Sequence, residues 1–265
     1  MSFKVYLAEA IRKEAIKLIQ RDQRYSKEVF DELFRIQRRS GVKHAQQLLR
    51  PSYWQIDKGF DPYHVRSNAD AIAHSIDSKL RSKRYSPMPA VRYEVPKADG
   101  TPRQISVFQI ADNALSKVVF TDLMKKNAPR FSARCYAYRT DITLHDAVLH
   151  ISTQMKKNAR FFVAEFDYSK FFASLNHEFL RRLISHDRFL LTQRERRILL
   201  GFLEAPVLGQ HEYDSNATLK RETGIPEGTS VSLFLANAAG SYLDEKLEQL
   251  GVCLLYTSPS PRDRG

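Results

Sequence analysis

Apolar residues in the first third of the chain follow the spacing of helices. They recur at intervals of three and four residues over positions 3–22 and again over 26–39, which predicts two amphipathic helices. Residues 51–64 combine proline with aromatic side chains and predict a loop, and a further helical pattern covers 67–82. The N-terminal region, residues 1–90, is therefore expected to be mostly helical.

A β-hairpin is predicted after this helical region. Apolar and polar residues alternate over 91–95, as a half-buried strand requires, and 103–107 reads as the returning strand. The connection at 97–100 ends in Asp-Gly, a favoured hairpin turn. We assign residues 91–160 to one unit built on this hairpin. Its predicted helices cover 109–127 and 143–157.

The remaining pattern predicts a buried strand followed by capped helices. Residues 161–166 form a short apolar run that ends at Asp167, as a central strand would. Asn176 and Thr192 are well placed to cap helices, and 230–250 has the periodicity of a long helix. Helices, hairpin, helices, strand and helices in this order indicate an α+β fold rather than repeated βα units.

Charge and composition narrow the class of partner. The chain has 265 residues, with 42 Lys plus Arg against 30 Asp plus Glu, a net charge of +12. A chain this basic usually binds a polyanion. No apolar run approaches the roughly 20 residues that span a bilayer, so we expect nucleic acid rather than a membrane, and a cytoplasmic location. Cys135 and Cys253 are the only cysteines, which excludes a disulfide framework or a cysteine-rich zinc site.

The C-terminal residues have an unusual composition. Residues 253–263 read CLLYTSPSPRD and are similar to one translated frame of the transposon-end adapter used to prepare sequencing libraries. The alternative is a natural Ser/Pro-rich tail. We expect 252–265 to be a non-native tail, and removing it changes the net charge to +11 because it holds two arginines and one aspartate.

Asp167 is the leading candidate metal ligand. Transfer of a nucleotide to a 3′-hydroxyl is well served by two Mg²⁺ ions about 3.5–4 Å apart, which prefer carboxylate ligands on rigid strands. An acid where an apolar strand ends suits this task, although position alone favours an ordinary turn or capping aspartate. The neighbouring residues distinguish these alternatives, because 166–177 reads FDYSKFFASLNH.

This segment resembles the first palm motif of reverse transcriptases of the group II intron and retron type. The resemblance implies that Asp167 binds both metals and that the backbone carbonyl of Tyr168 binds one. It also implies that the ring of Phe172 lies under the sugar of the incoming nucleotide. A flat ring there leaves no room for a 2′-hydroxyl and so selects deoxynucleotides.

A second resemblance covers 223–230, which reads TGIPEGTS before a long helix. It is similar to the second palm motif of the same family, a loop that packs against the incoming nucleotide and the template. The nucleotide-binding residues implied are Pro226, Glu227 and Gly228. The family usually has glutamine where this chain has Glu227, and an added carboxylate near a triphosphate is unfavourable.

A third resemblance covers the hairpin at 95–105, which is similar to the fingers hairpin of the family. It implies that Lys97 and Arg103 fold over the triphosphate, and the planar fork of arginine suits phosphate. The segment 134–147 resembles the stretch before the first palm motif. There Arg139 is a secondary candidate for contact with template or primer.

Together the motifs identify the chain as resembling a bacterial reverse transcriptase with a right-hand polymerase fold. Residues 91–160 would be the fingers and 161–251 a partial palm, without the third motif, its paired aspartates and the thumb. The implied partners are an RNA template, a DNA or RNA primer, deoxynucleoside triphosphates and two Mg²⁺ ions. Residues 224–228 together with 232–237 resemble most the phage-defence enzymes of the family. This chain alone is expected to be inactive. The alternatives are an RNA-dependent RNA polymerase, which Phe172 disfavours, and a non-catalytic nucleic-acid-binding module.

Overall fold

The computed structural model describes residues 2–42, 50–96, 100, 102–139, 141–157, 160 and 168–250. In chain order the helices and strands are α1 Phe3–Ser40, α2 Pro62–Ser67, α3 Ala69–Arg81, β1 Ala90–Pro96, β2 Pro102–Val107, α4 Ile110–Asn127, α5 Leu144–Lys157, α6 Phe171–Ser174, α7 His177–Ser185, α8 Gln193–Glu204, β3 Val207–Leu208 and α9 Ser230–Gln249. Short 3₁₀ turns lie at Ser52–Gln55, Ala128–Arg130 and Gln210–Glu212.

The strands form one small sheet in the order β2-β1-β3. β1 and β2 are the predicted hairpin, paired antiparallel from Val91 opposite Val107 to Pro96 opposite Pro102. β3 lies parallel to the start of β1. A small sheet among helices confirms the α+β class. The predicted strand at 161–166 and Asp167 lie outside the described residues.

The N-terminal helices differ from their predicted bounds. The two helices predicted over 3–22 and 26–39 are one continuous helix, α1, because no glycine or proline lies between them to end it. It ends at Gly41, whose left-handed φ of 70° suits glycine and whose N–H donates to the Gln37 carbonyl. The predicted loop at 51–64 contains a 3₁₀ turn and the start of α2, and Asp61 caps that helix by accepting from the Tyr63 N–H.

Two predicted helix caps are confirmed. The Asn176 side chain accepts from the Phe179 N–H at the start of α7. Thr192 forms a capping box with Glu195 at the start of α8, in which each side chain accepts from the other residue's backbone N–H. These caps fix where α7 and α8 begin.

Helix α4 is the central helix of the core. It packs against both α1 and α9, and it buries apolar residues such as Leu115 and Leu123 completely. Ser116 on α4 is fully buried, and its Oγ accepts from the Val231 N–H at 3.0 Å. This bond fixes the first turn of α9, and with it the loop that leads into α9.

Asp112 on α4 carries a pH-dependent contribution to stability. It is buried, and it accepts from the Tyr85 hydroxyl at 2.7 Å and from the Met88 N–H at 2.9 Å. Burial raises the pKa of Asp112 from 3.8 to about 6, despite both bonds. A raised pKa means that the folded protein binds this proton more tightly than the unfolded chain does. The resulting stabilisation is complete below the pKa of the unfolded chain and is lost as pH rises through the pKa of the folded protein.

We therefore expect the wild-type free energy of unfolding to fall by about 3 kcal/mol between about pH 4 and pH 7 through Asp112. Asp112→Asn should lose this share of the pH dependence, since its amide can accept from Met88 and donate to Tyr85. Urea unfolding of both proteins across that range measures the difference. Burial also raises the pKa of Asp244 to about 6, but Asp244 is present in both proteins and therefore contributes to both slopes. Equal slopes would contradict the assignment.

No helix in the described part of the chain combines the length and apolar character needed to cross a membrane.

Candidate functional site

The loop from Thr223 to Thr229, here called the 223–229 loop, docks on the segment around α6 by backbone bonds. The Gly224 N–H donates to the Leu175 carbonyl at 2.8 Å, and the Ile225 N–H donates to the Phe172 carbonyl at 2.7 Å. Both bonds join segments that are distant in sequence. The structure therefore places the loop of the second motif directly against the first.

His177 strengthens this docking and was not singled out from the sequence. It is 2% exposed, and its Nε2 donates to the Gly224 carbonyl at 2.7 Å. Desolvation lowers the pKa of His177, which favours the neutral ring with its proton on Nε2. In the sequence it was only the last residue of the 166–177 segment, immediately after the Asn176 cap. The imidazole thus fixes the carbonyl of Gly224, the second residue of the loop.

The other side of the 223–229 loop rests on the hairpin. The Ser106 N–H on β2 donates to the Glu227 carbonyl at 2.8 Å. Gly228 has a φ of +118°, and a Cβ at this position would lie 2.5 Å from the Ser106 carbonyl oxygen. Only glycine allows this approach without displacing backbone. The loop is therefore held between the first-motif segment and the edge of β2.

A side-chain ion pair joins the same two elements. The Nε and Nη2 of Arg103 donate to one oxygen of Glu227, Oε2, at 3.1 and 3.0 Å. The two side chains are 43% and 35% exposed, so water and salt reach the pair and weaken it. Arg103 and Glu227, predicted separately as nucleotide-binding residues, are in direct contact.

Three aromatic side chains lie in the first-motif segment on which the loop docks. Tyr168 is 48% exposed and stacks on Phe171 with ring centroids 5.1 Å apart. Phe171 in turn meets Phe172 edge to face at 6.0 Å. Phe171 and Phe172 are partly buried and pack against the hydrophobic core. Helix α6, a single turn, places these rings after Lys170, which adopts a left-handed φ of 52°.

The structure therefore brings together five of the residues predicted for the nucleotide pocket. The Phe172 carbonyl binds the loop at Ile225, and the next loop residue, Pro226, is buried. On the other side, Arg103 forms an ion pair with Glu227, and Gly228 lies against the backbone of β2. The roles assigned to them, and to the Tyr168 carbonyl, stay predictions. Lys97 and Asp167 lie outside the described residues, so convergence on Asp167 also stays a prediction.

Arg139 has an intramolecular partner. Its side chain is 7% exposed, its Nε donates to Asp141 at 2.8 Å, and its Nη1 donates to the Ser132 carbonyl at 3.3 Å. The bond from Arg139 lowers the pKa of Asp141. To reach a template or primer, Arg139 would have to leave this position, and the predicted contact stays a prediction.

Within the described part of the chain, no group of three or more His, Cys, Asp or Glu side chains is arranged to hold a metal ion. The carboxylate within the docked loop, that of Glu227, is paired with Arg103. The predicted Mg²⁺ ligand, Asp167, falls outside this part.

Comparison with known proteins finds distant relatives. No family model matches the chain. Over 220 residues, 83% of the chain, it is 24% identical to the uncharacterized 91 kDa protein in cob intron of Schizosaccharomyces pombe, of which the match spans 26%. Over 178 residues, 64% of the chain, it is 24% identical to protein YkfC of Escherichia coli, of which the match spans 44%. The chain thus spans less than half of either relative.

Two solved structures match this chain weakly. Chains of a Cas6-RT-Cas1–Cas2 complex and of a partial form of it match 82% of this chain at 15% identity and a TM-score of 0.39. The match covers 25% and 40% of those chains respectively.

Proposed function

We propose that this chain carries the fingers and a partial palm of an RNA-directed DNA polymerase of the right-hand fold. The observation that carries the proposal is the contact between the hairpin and the 223–229 loop. Arg103 and Glu227 are 124 positions apart, yet they form an ion pair. Motifs that resemble the fingers hairpin and the second palm motif would have to meet in this way to serve one nucleotide.

The first-motif segment meets the same loop from the opposite side. In the proposed pocket Arg103 binds the triphosphate, the ring of Phe172 lies against the sugar, and the Pro226–Gly228 backbone lies against the base. The Phe172 side chain is partly buried and packs against the core, and a ring held in this way can form a rigid wall that rejects a larger sugar. Deoxynucleotides are therefore the proposed substrates.

Asp167 is the proposed ligand for Mg²⁺, which when bound would neutralise charge on the phosphates and on the attacking oxygen. A carboxylate is the ligand type that Mg²⁺ prefers. The segment that follows it, from Tyr168 to α6, is the one on which the 223–229 loop docks. In the sequence, Asp167 immediately precedes this segment of the proposed pocket.

The sequence relatives support the proposal that this chain acts on nucleic acid. One of them is named for its location in the cob intron, and the match covers 83% of this chain. The net charge of +12 favours a polyanionic partner, here proposed to be an RNA template paired with a DNA or RNA primer. A role in phage defence is part of the proposal only through the resemblance of residues 224–228 and 232–237.

Primer extension by the full-length parent protein tests the proposal. We expect extension on an RNA template with deoxynucleotides and Mg²⁺, and none with ribonucleotides. The 265-residue chain should not extend a primer, because a two-metal site needs roughly three carboxylates and the motifs supply one. Use of ribonucleotides instead would favour the RNA polymerase alternative. Extension by the 265-residue chain itself would show that the site lies elsewhere.

A further inference from the structure

We propose that Glu227 is an internal competitor for Arg103, a carboxylate that occupies the guanidinium where a nucleotide phosphate would bind. This inference rests on the proposed function and concerns the affinity of that same pocket. Glu227 was expected from the sequence to contact the nucleotide directly. The structure instead directs its carboxylate at the arginine of the facing hairpin.

The geometry of the pair supports competition. The Nε and Nη2 donors form one edge of the guanidinium, and both are directed at Glu227 Oε2, at 3.1 and 3.0 Å. Two donors on one edge are what arginine uses for bidentate binding of a phosphate. A phosphate that approaches this edge must displace the carboxylate, because both would need the same two hydrogen atoms.

The backbone fixes Glu227 in this position. The Ser106 N–H holds the Glu227 carbonyl at 2.8 Å, and the close approach of Gly228 to the Ser106 carbonyl fixes the next residue. Neither contact involves the Glu227 side chain. The carboxylate can therefore rotate away from Arg103 while the loop stays docked, so the exchange of carboxylate for phosphate needs only side-chain movement.

The exposure of the pair sets the size of the effect. Side chains that are 43% and 35% exposed form an ion pair that water partly screens, so a polyanion such as a triphosphate can displace it. The carboxylate should lower nucleotide affinity without abolishing it. Added salt should weaken both the Arg103–Glu227 ion pair and the binding of phosphate to Arg103.

Binding of inorganic tripolyphosphate and of dATP to the 265-residue chain, measured by titration calorimetry, tests this inference. Glu227→Gln keeps the shape and the backbone contacts but removes the charge, and it should tighten binding by about fivefold. The matched control is Glu94→Gln on the same hairpin, where the exposed Glu94 accepts from Gln104 rather than from Arg103. It removes the same charge and should change the affinity by less than about twofold.

A second pair of variants locates the effect at Arg103. In an Arg103→Gln background, Glu227→Gln should produce no gain in affinity. If Glu227→Gln and Glu94→Gln raise the affinity equally, the change in net charge alone explains the gain, and the inference is overturned. A gain that persists without Arg103, or no tripolyphosphate binding by any folded variant, would overturn it as well.

A measurement without ligand keeps the test independent of nucleotide binding. The two single variants and the double variant form a cycle in urea unfolding, and coupling between Arg103 and Glu227 should appear as non-additivity. Additive effects would show that the pair does not form in solution. If the coupling and the affinity gain are found but the parent extends no primer, the proposed function fails while the competition stands.

Discussion

Replacing Asp167 by alanine in the full-length parent is expected to lower primer extension by about a thousandfold or more. In the proposed site this carboxylate binds both Mg²⁺ ions, and no other residue of the first motif could replace it. Steady-state incorporation of a single deoxynucleotide on an RNA template measures the loss. Binding of the template–primer should change little, because most of that affinity comes from the basic side chains.

The matched control for this substitution is Asp187→Ala. Asp187 is also an aspartate, its side chain is fully exposed, and it makes a long ion pair with Arg196 at 3.5 Å. Removing it should leave extension unchanged. If the parent retains its activity in Asp167→Ala while thermal unfolding shows both variants folded, the metal ligand has been misplaced and the first-motif resemblance is wrong.

Local sequence signals predicted much of the fold. The hairpin follows from alternation and an Asp-Gly turn, and the starts of α7 and α8 follow from Asn176 and Thr192, because capping depends on residues within one turn. Such features need no knowledge of the tertiary structure. The α+β class follows from the order of the elements.

The second half of α1 shows where periodicity fails. The apolar pattern over 26–39 predicts an inward face, yet Phe30 and Phe34 are 58% and 53% exposed in the structure. Periodicity reports that a helix has an apolar side, but it does not say whether a partner covers that side. It also gave no reason to join this segment to 3–22, although nothing between them interrupts a helix.

The contacts within the candidate site were not predictable from the sequence. Glu227 was recognised as a departure from the resembled motif, but its partner is 124 positions away. Likewise, the bond from His177 to the Gly224 carbonyl depends on how the loop docks. Ion pairs and buried hydrogen bonds between distant segments follow from tertiary packing, which motifs alone do not specify.

Gly224→Ala is expected to be among the most destabilising substitutions in the 223–229 loop. Gly224 has a φ of +72°, and a Cβ there would lie 2.8 Å from the Ala173 carbonyl oxygen and 3.0 Å from the Phe172 carbonyl oxygen. Both atoms belong to backbone, and the Phe172 carbonyl is the acceptor that docks the loop. The added methyl group must therefore push apart the two segments that form the candidate pocket.

Gly41→Ala is the matched control, since Gly41 has a φ of +70° and open space around the position of a Cβ. Both variants place alanine in the left-handed region, which costs about 1 kcal/mol. Only Gly224→Ala adds backbone overlap, so it should lose about 3 kcal/mol in total. Urea unfolding of the 265-residue chain compares the two. Equal losses would mean that the loop does not lie against Phe172 and Ala173 in solution, and the proposed pocket would lose its first-motif wall.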